Sequence, residues 1–308
     1  VSVKRERALI IGYGSIGKRH ARLLNDMKLE VALLTQQKTS DFLCYRSLSE
    51  AMNVYFPTYI VVANETWRHA QTVRELPGYG FDGKLLVEKP LFSEYEKWPQ
   101  EAFAFSGVAY NLRFHPFIQR IRRYLETETS VAVSVRCGQH LSEWRPGTKI
   151  ENSYSASSEA GGGVLRDLSH ELDYLLWLFG PWSRVTAIGG NYDVLGIDAD
   201  ECWSILMEMQ SGVSATINIS YLDRPAQREI AITTRTGTLK ADLVNATLFI
   251  DGKKETHPTQ RDQTYLAMHH AMLGGESSDI CSAKEGLAVV NLIQSIEKAS
   301  ESRNWVSA

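Results

Sequence analysis

Residues 8–27 read ALIIGYGSIGKRHARLLNDM. A short apolar run ends in glycines, and a helical pattern follows at Ile16, His20, Leu23, Leu24 and Met27. Gly12-Tyr13-Gly14-Ser15-Ile16-Gly17 is a G-x-G-x-x-G. Such a pattern says little alone, but between a strand and a helix it predicts a dinucleotide cradle. Gly12 permits a tight turn, Gly14 lets the backbone approach a pyrophosphate, and Gly17 lets helix and strand pack closely. The helix N-terminus offers unpaired N–H groups to the phosphates. The expected cradle is therefore Gly12, Gly14, Ser15, Ile16 and Gly17.

The nucleotide choice is read at the end of the second strand, where NAD sites usually carry Asp or Glu on the ribose hydroxyls. Here the sequence is Thr35-Gln36-Gln37-Lys38. Thr35 and Lys38 suit a 2′-phosphate, with no carboxylate to repel it, whereas Gln36 or Gln37 suits a ribose hydroxyl. The expected cofactor is NADP or NAD, with NADP favoured.

Beyond the cradle, strands alternate with helices. VALLT, YIVVAN, KLLVEKP and SGVAYN read as buried strands, and RHAQTVREL as a helix. SLSEAM opens another helix, with Ser47 as N-cap and Glu50 at the capping-box position. This alternation predicts an α/β doubly wound parallel sheet over residues 1–107. After the amphipathic NLRFHPFIQRIRRYLE come long β-rich runs with short turns at QSG, RTG and IDGKK. These predict an α+β domain with an open, mainly antiparallel sheet over residues 108–308. A last amphipathic helix, SAKEGLAVVNLIQSIEKASES, closes the chain and can pack back on the first domain.

The chain has 308 residues, so two domains are expected. It is 44% hydrophobic and 22% charged, with a net charge of -3. That balance gives no footprint for nucleic acid or an anionic membrane. No apolar run approaches the roughly 20 residues of a bilayer span, and the run after VSVKRER is too short for a signal sequence and reads as the first strand. A cytoplasmic location is expected. Cys44, Cys137, Cys202 and Cys281 lie far apart without a CxxC pair, and read as buried free thiols.

LLVEKP sets Glu88, Lys89 and Pro90 at a strand end, where ligands bind in an open parallel sheet. Lys89 is expected near a nicotinamide. With these residues, the sequence resembles the Gfo/Idh/MocA oxidoreductases, dehydrogenases of sugars and inositols. The resemblance rests on GYGSIGKRH, VVANETWRHA, LLVEKPL, YNLRFHP and GGGVLRDLSHELDYLLWLFG, in that order across nearly the whole chain. It implies an N-terminal Rossmann domain and a C-terminal open-sheet domain. It also implies that Lys89 is the active-site lysine, with Glu88 beside it. It places Asn64, Glu65 and His69 at the cofactor, and Asn111 and Arg113 near the nicotinamide. The branch resembled is associated with bacterial surface-sugar biosynthesis.

Residues 161–180 read GGGVLRDLSHELDYLLWLFG. As one helix, Leu165, Leu168, Leu172, Leu175, Leu176 and Phe179 share a face, while Asp167, His170 and Asp173 lie opposite. The family runs Asp, then His four residues later; here Asp167 and His170 are three apart. The bland alternative is a charged face in water. Beside Lys89 and the cradle, the same three residues read as the floor of an active site. Oxidising an alcohol needs a base near neutrality, which His170 suits. Asp167 would bind a sugar hydroxyl or orient His170, Asp173 would face substrate, and Lys89 would steady developing negative charge. No metal is required.

The loop HLSEWRPGTKIENSYSAS offers His140, Trp144, Arg145 and Tyr154 for sugar selection. The histidines of MHHAM, His269 and His270, read as helix surface. SVAVSVRC and SATINISY alternate, with several outward positions read as Val, Ile or Thr, which predicts a homodimer or homotetramer through the C-terminal sheet. The leading reading is a hydride-transferring oxidoreductase of a sugar or nucleotide-sugar. A non-catalytic dinucleotide- and ligand-binding sensor, and an enzyme that uses a retained cofactor for internal redox, are the alternatives.

Overall fold

A computed structural model describes residues 6–99, 102–144 and 149–308. The chain begins β1 (Arg7–Ile11), α1 (Ser15–Asp26), β2 (Glu30–Leu34), β3 (Leu43–Tyr45), α2 (Leu48–Tyr55), β4 (Tyr59–Val62), α3 (Thr66–Glu75), β5 (Lys84–Val87) and β6 (Phe105–Val108). It continues α4 (Pro116–Leu125), β7 (Ser130–Gly138), α5 (Leu141–Trp144), α6 (Val164–Asp167), α7 (His170–Phe179), β8 (Trp182–Gly190), β9 (Cys202–Met209), β10 (Ser214–Ser220) and β11 (Gln227–Thr234). It closes with β12 (Thr238–Asp242), β13 (Thr247–Ile250), β14 (Lys253–Thr256), α8 (Gln263–Gly274), α9 (Ala283–Ser302) and β15 (Val306–Ser307).

The residues group into two compact units: Val1–Asn111 with Thr264–Val290, and Leu112–Gln263 with Asn291–Ala308. The division thus falls a little after residue 107, and a later segment returns to the first unit. Three bonds within that unit hold the returning segment. The Val108 N–H donates to the Cys281 carbonyl at 2.8 Å, Lys84 Nζ donates to the Leu273 carbonyl at 2.7 Å, and Asn111 Nδ2 donates to Thr264 Oγ1 at 2.6 Å. The last helix, α9, is shared between the two units.

The first unit holds a parallel sheet in the order β3-β2-β1-β4-β5-β6. Its central strands are apolar on both faces; Leu9, Ile10, Ile60, Val61, Leu85 and Leu86 are fully buried. Each such side chain contributes roughly 1.5–3 kcal/mol of burial, which is why the sequence shows continuous apolar runs here rather than alternation. Helix α1 turns His20, Leu23 and Leu24 into the core. Ser47 caps α2 as expected, accepting from the Glu50 N–H at 3.2 Å. The three-residue β3 lies below the length at which periodicity is readable.

The second unit holds a nine-strand sheet in the order β14-β13-β12-β11-β7-β10-β9-β8-β15. It is not a plain antiparallel meander, because β7 and β10 pair in parallel. The long connection from β7 through α5, α6 and α7 returns the chain to β8 running in the direction of β7. Two antiparallel turns then bring β10 alongside β7 in the same sense.

The register also corrects the outward face. In β7 and β10 the exposed positions include Ser134, Arg136, Ser214, Thr216 and Asn218, while Val133, Val135, Ile217 and Ile219 point inward. Apolar exposure on neighbouring strands comes from Leu206 and Ile188. Among the described residues, no helix is long and apolar enough to cross a membrane. The four cysteines are free; Cys137 and Cys281 are buried, while Cys44 and Cys202 are only half-buried.

Candidate active site

The cradle residues meet the demands read from the sequence. Gly12 has φ +98°, and a Cβ there would lie 2.5 Å from the Ala63 carbonyl oxygen. A Cβ on Gly17 would lie 2.2 Å from the Gly12 carbonyl oxygen. Gly14 differs: its Cβ would meet nothing within 4 Å. It precedes the N-terminus of α1, which carries no side-chain cap and no acidic residue in its first turn. Ser15 and Ile16 open that turn. Open space beside uncapped N–H groups is what a pyrophosphate needs, so these residues fit a dinucleotide.

At the end of β2, Thr35 is buried and its Oγ1 accepts from the Gln37 N–H at 3.1 Å. Gln36 turns to the Arg46 carbonyl at 2.9 Å, and Lys38 is exposed. Sequence reasoning missed Arg46, which donates through Nη1 to the carbonyls of Thr35, at 2.7 Å, and Gln37, at 3.1 Å. Its guanidinium orders the segment where the ribose specificity is expected. The signal was a basic residue just past β3, a strand too short to be read.

After β4, Asn64 Nδ2 donates to Thr72 Oγ1 at 3.0 Å, and its Oδ1 is buried with no hydrogen-bond partner among the described residues. Glu65 is exposed and pairs with Arg68 at 3.6 Å. His69 is buried between carbonyls, 3.1 Å from Asn64 O through Nε2, and 3.2 and 3.1 Å from Pro90 O and Leu91 O through Nδ1. Burial lowers its pKa. This histidine braces the two loops that flank the strand ends rather than standing exposed to a ligand. Glu88 is buried, with Oε1 2.8 Å from His20 Nε2. Lys89, which is half-buried, follows it and precedes Pro90 in a cis peptide. Asn111 is buried on Thr264.

In the second unit the expected single helix is broken. Helix α6 ends at Asp167, α7 starts at His170, and Leu168 and Ser169 lie between them. Asp200 anchors the start of α6, accepting from the Leu165 N–H at 2.9 Å, while its backbone carbonyl accepts from the Val164 N–H at 3.0 Å. The helical-wheel argument therefore does not carry from Asp167 to His170. A face in water is excluded too, because Asp167, His170, Glu171 and Asp173 are all buried.

Asp167 is the hub of a cluster. Its Oδ2 accepts from the Tyr221 hydroxyl at 2.6 Å, and its Oδ1 accepts from the Tyr154 hydroxyl. The Trp144 ring meets Tyr221 edge-on at 5.2 Å. Burial first, then the Asp167 charge, drives the Tyr221 pKa well above its ordinary value, so this phenol stays a donor. Tyr221 went unread because it ends a strand, where an aromatic is ordinary. Glu171 was also unread; it lies 2.9 Å from Arg228 Nε, which in turn donates to Cys137 Sγ at 3.3 Å.

Asp173 and Arg113 were expected to face substrate, but they grip each other. Arg113 Nε reaches Oδ1 and Oδ2 at 3.2 and 3.0 Å, and Nη2 reaches Oδ1 at 2.7 Å. The pair is buried, with Arg113 5.2 Å from the Trp177 ring centroid. His140 is bonded to Ser142 and Arg224 at 2.8 and 2.7 Å. Arg145 lies outside the described residues. Among the described residues no cluster of three or more His, Cys, Asp or Glu is arranged to hold a metal. The reading of His269 as surface is corrected: it is fully buried, because α8 packs this side against β4 and α1 within the first unit.

A dinucleotide-type parallel sheet, its glycine cradle and a nine-strand open-sheet unit define the class of protein. Residues 119–240 match the GFO/IDH/MocA C-terminal domain, and over that stretch the chain is similar to the Gfo/Idh/MocA family. No curated protein matches the sequence significantly. Solved structures share the fold across the full chain. The WlbA dehydrogenase from Bordetella pertussis, in complex with NADH and UDP-GlcNAcA, is 19% identical with TM-score 0.82, covering 100% of this chain and 99% of its own. GenD2 from gentamicin A biosynthesis, in complex with NAD, is 18% identical with TM-score 0.82, covering 99% and 97%. Levoglucosan dehydrogenase in complex with NADH is 15% identical with TM-score 0.84, covering 99% of each chain.

Proposed function

We propose that this chain is an NAD(P)-dependent oxidoreductase that transfers a hydride between the nicotinamide and a hydroxyl- or keto-bearing carbon of a sugar or nucleotide-sugar. The observation that carries the reading is Gly14: open space at an uncapped helix N-terminus, on a sheet of dinucleotide-binding order. The family match and the NAD(H)-bound proteins of the same fold support it.

The dinucleotide, when bound, supplies the hydride acceptor or donor. Ser15, Ile16 and Gly17 present N–H groups to its phosphates, and the Thr35–Lys38 segment, ordered by Arg46, meets its ribose. Lys89 steadies negative charge on the reacting oxygen, and His170 takes the hydroxyl proton in oxidation and returns it in reduction. Asp167 holds a sugar hydroxyl or the His170 ring through whatever capacity Tyr154 and Tyr221 leave it. The nine-strand sheet joins copies of the chain into a dimer or tetramer through its Ser-, Thr- and Asn-rich outer face, a more polar interface than the sequence suggests.

The test is turnover with free NAD and NADP against a panel of aldoses, UDP-sugars and CMP-sugars. Turnover of at least one sugar is expected. Lys89→Met should cost about 2–4 kcal/mol of transition-state stabilisation, by analogy with losing one oxyanion donor. His170→Asn should erase the pH dependence near neutrality. Tight dinucleotide binding without turnover of any member would mark a sensor instead.

A further inference from the structure

The first unit contains a buried line of polar groups that hydride transfer does not require. Tyr59 Oη lies 2.9 Å from His269 Nδ1. His269 Nε2 lies 2.9 Å from His20 Nδ1, and His20 Nε2 lies 2.8 Å from Glu88 Oε1. The other oxygen, Glu88 Oε2, accepts from the Lys89 backbone N–H at 3.2 Å. Tyr59, His269 and His20 are fully buried, and Glu88 nearly so. These residues come from β4, α8, α1 and the end of β5, so no local pattern brings them together.

We propose that His20 and His269 are positioning residues: with Tyr59 they form a hydrogen-bond line of one polarity that clamps the ionised carboxylate of Glu88 and, through it, the backbone of Lys89. With Glu88 ionised and both histidines neutral, every link has one donor and one acceptor. The Tyr59 hydroxyl donates to His269 Nδ1, His269 Nε2–H donates to His20 Nδ1, and His20 Nε2–H donates to Glu88.

The surroundings favour a neutral His269 and a protonated Tyr59. His269 is faced by His20, His270 and Tyr59; burial, then the two histidine charges, pushes its pKa well below the ordinary value. Burial pushes Tyr59 well above its own, so it remains a donor. Glu88 is faced by His20, by the Lys89 backbone and by His69. The line ends inside the core at Tyr59, which has no exposed surface. It therefore leads no proton to solvent, and its work is to hold Glu88. A buried carboxylate persists only where donors meet it, and a fully satisfied buried network specifies a single geometry.

The proposal rests on the reading of Lys89 as a substrate-facing residue, so two of its tests avoid turnover. The first is 15N NMR of histidine-labelled wild-type protein between pH 6 and 9. His269 is expected as the Nε2–H tautomer throughout, with Nδ1 unprotonated; the Nδ1–H tautomer would overturn the line. The second is hydrogen exchange at the Lys89 amide. His20→Phe should lower its protection at least tenfold while amides of β1 keep theirs, and His20→Gln, whose amide can still reach Glu88, should restore most of it. Unchanged protection in His20→Phe overturns the clamp, whether or not any sugar is turned over. Where turnover is found, His20→Phe should lower kcat at least tenfold with dinucleotide affinity kept, and His20→Gln should recover it. Equal kcat in His20→Phe also overturns the proposal. Failure of the function reading alone would instead appear as absent turnover with both turnover-independent results intact.

Discussion

Tyr221 donates its hydroxyl hydrogen to Asp167 Oδ2 at 2.6 Å, from the end of β10 to the end of α6. Tyr154 donates to the other oxygen of the same carboxylate. A buried carboxylate is thus held by two phenols, and hydrogen bonds to a charged group are worth about 1.5–3 kcal/mol each. Tyr221→Phe should lower unfolding stability by about that amount in urea titration. The Tyr154→Phe/Tyr221→Phe double variant should lose more than the sum of the singles, because each phenol partly offsets the loss of the other on the one carboxylate they share. Strict additivity would mean that the two hydroxyls do not share Asp167.

Gly14 and Gly17 separate binding from packing. Gly17→Ala sets a Cβ 2.2 Å from a backbone oxygen, so the thermal midpoint should fall. Gly14→Val places its side chain in open space, so the midpoint should hold while dinucleotide affinity collapses by calorimetry. Gly14→Val binding as tightly as wild type would remove the cradle argument. In wild type, a preference for NAD over NADP would assign the ribose to Gln36 or Gln37.

The parts legible in sequence were those where one short stretch carries its own explanation. The glycine turn, the apolar strands of the first sheet and the Ser47 cap all depend on neighbours in the chain. What was missed depends on distant partners. Asp167 and His170 looked like one helical face because the wheel could not show Asp200 arriving from 35 residues away to anchor α6. His269 looked like surface because Tyr59 and His20, which bury it, lie 210 and 249 residues away. The parallel β7–β10 pair was hidden for the same reason: the direction of β8 is set by the long crossover, not by any turn.

His115 gives a pH dependence of stability. It is buried, its Nδ1 accepts from the Phe117 N–H at 3.2 Å, and burial, then the Arg228 charge, lowers its pKa to about 4. The unfolded value is near 6.5, so the unfolded chain binds the extra proton first as pH falls. Stability from this group is whole above about pH 6.5 and is lost as pH drops towards 4, amounting to about 3 kcal/mol. Urea midpoints from pH 7 to pH 4 should show the decline, and His115→Asn should flatten it. A slope unchanged in His115→Asn would place the titration elsewhere.

Arg113 and Asp173 were expected at the substrate, and their geometry makes the opposite prediction. The guanidinium meets both carboxylate oxygens, and both side chains are nearly inaccessible to solvent. Removing one member of such a buried pair weakens the hold on the other's charge, at a cost of about 3–5 kcal/mol. Asp173→Asn should therefore lower the urea midpoint strongly, with Arg113 left facing a neutral amide. Replacing both, as Arg113→Met with Asp173→Leu, should recover much of the loss, because a buried pair and an apolar pair of similar volume are often nearly equivalent. A residue that held a sugar hydroxyl would behave differently: Asp173→Asn would raise KM and leave the unfolding midpoint in place. Finding that pattern would return Asp173 to the substrate and leave the Arg113 pair as its positioning device.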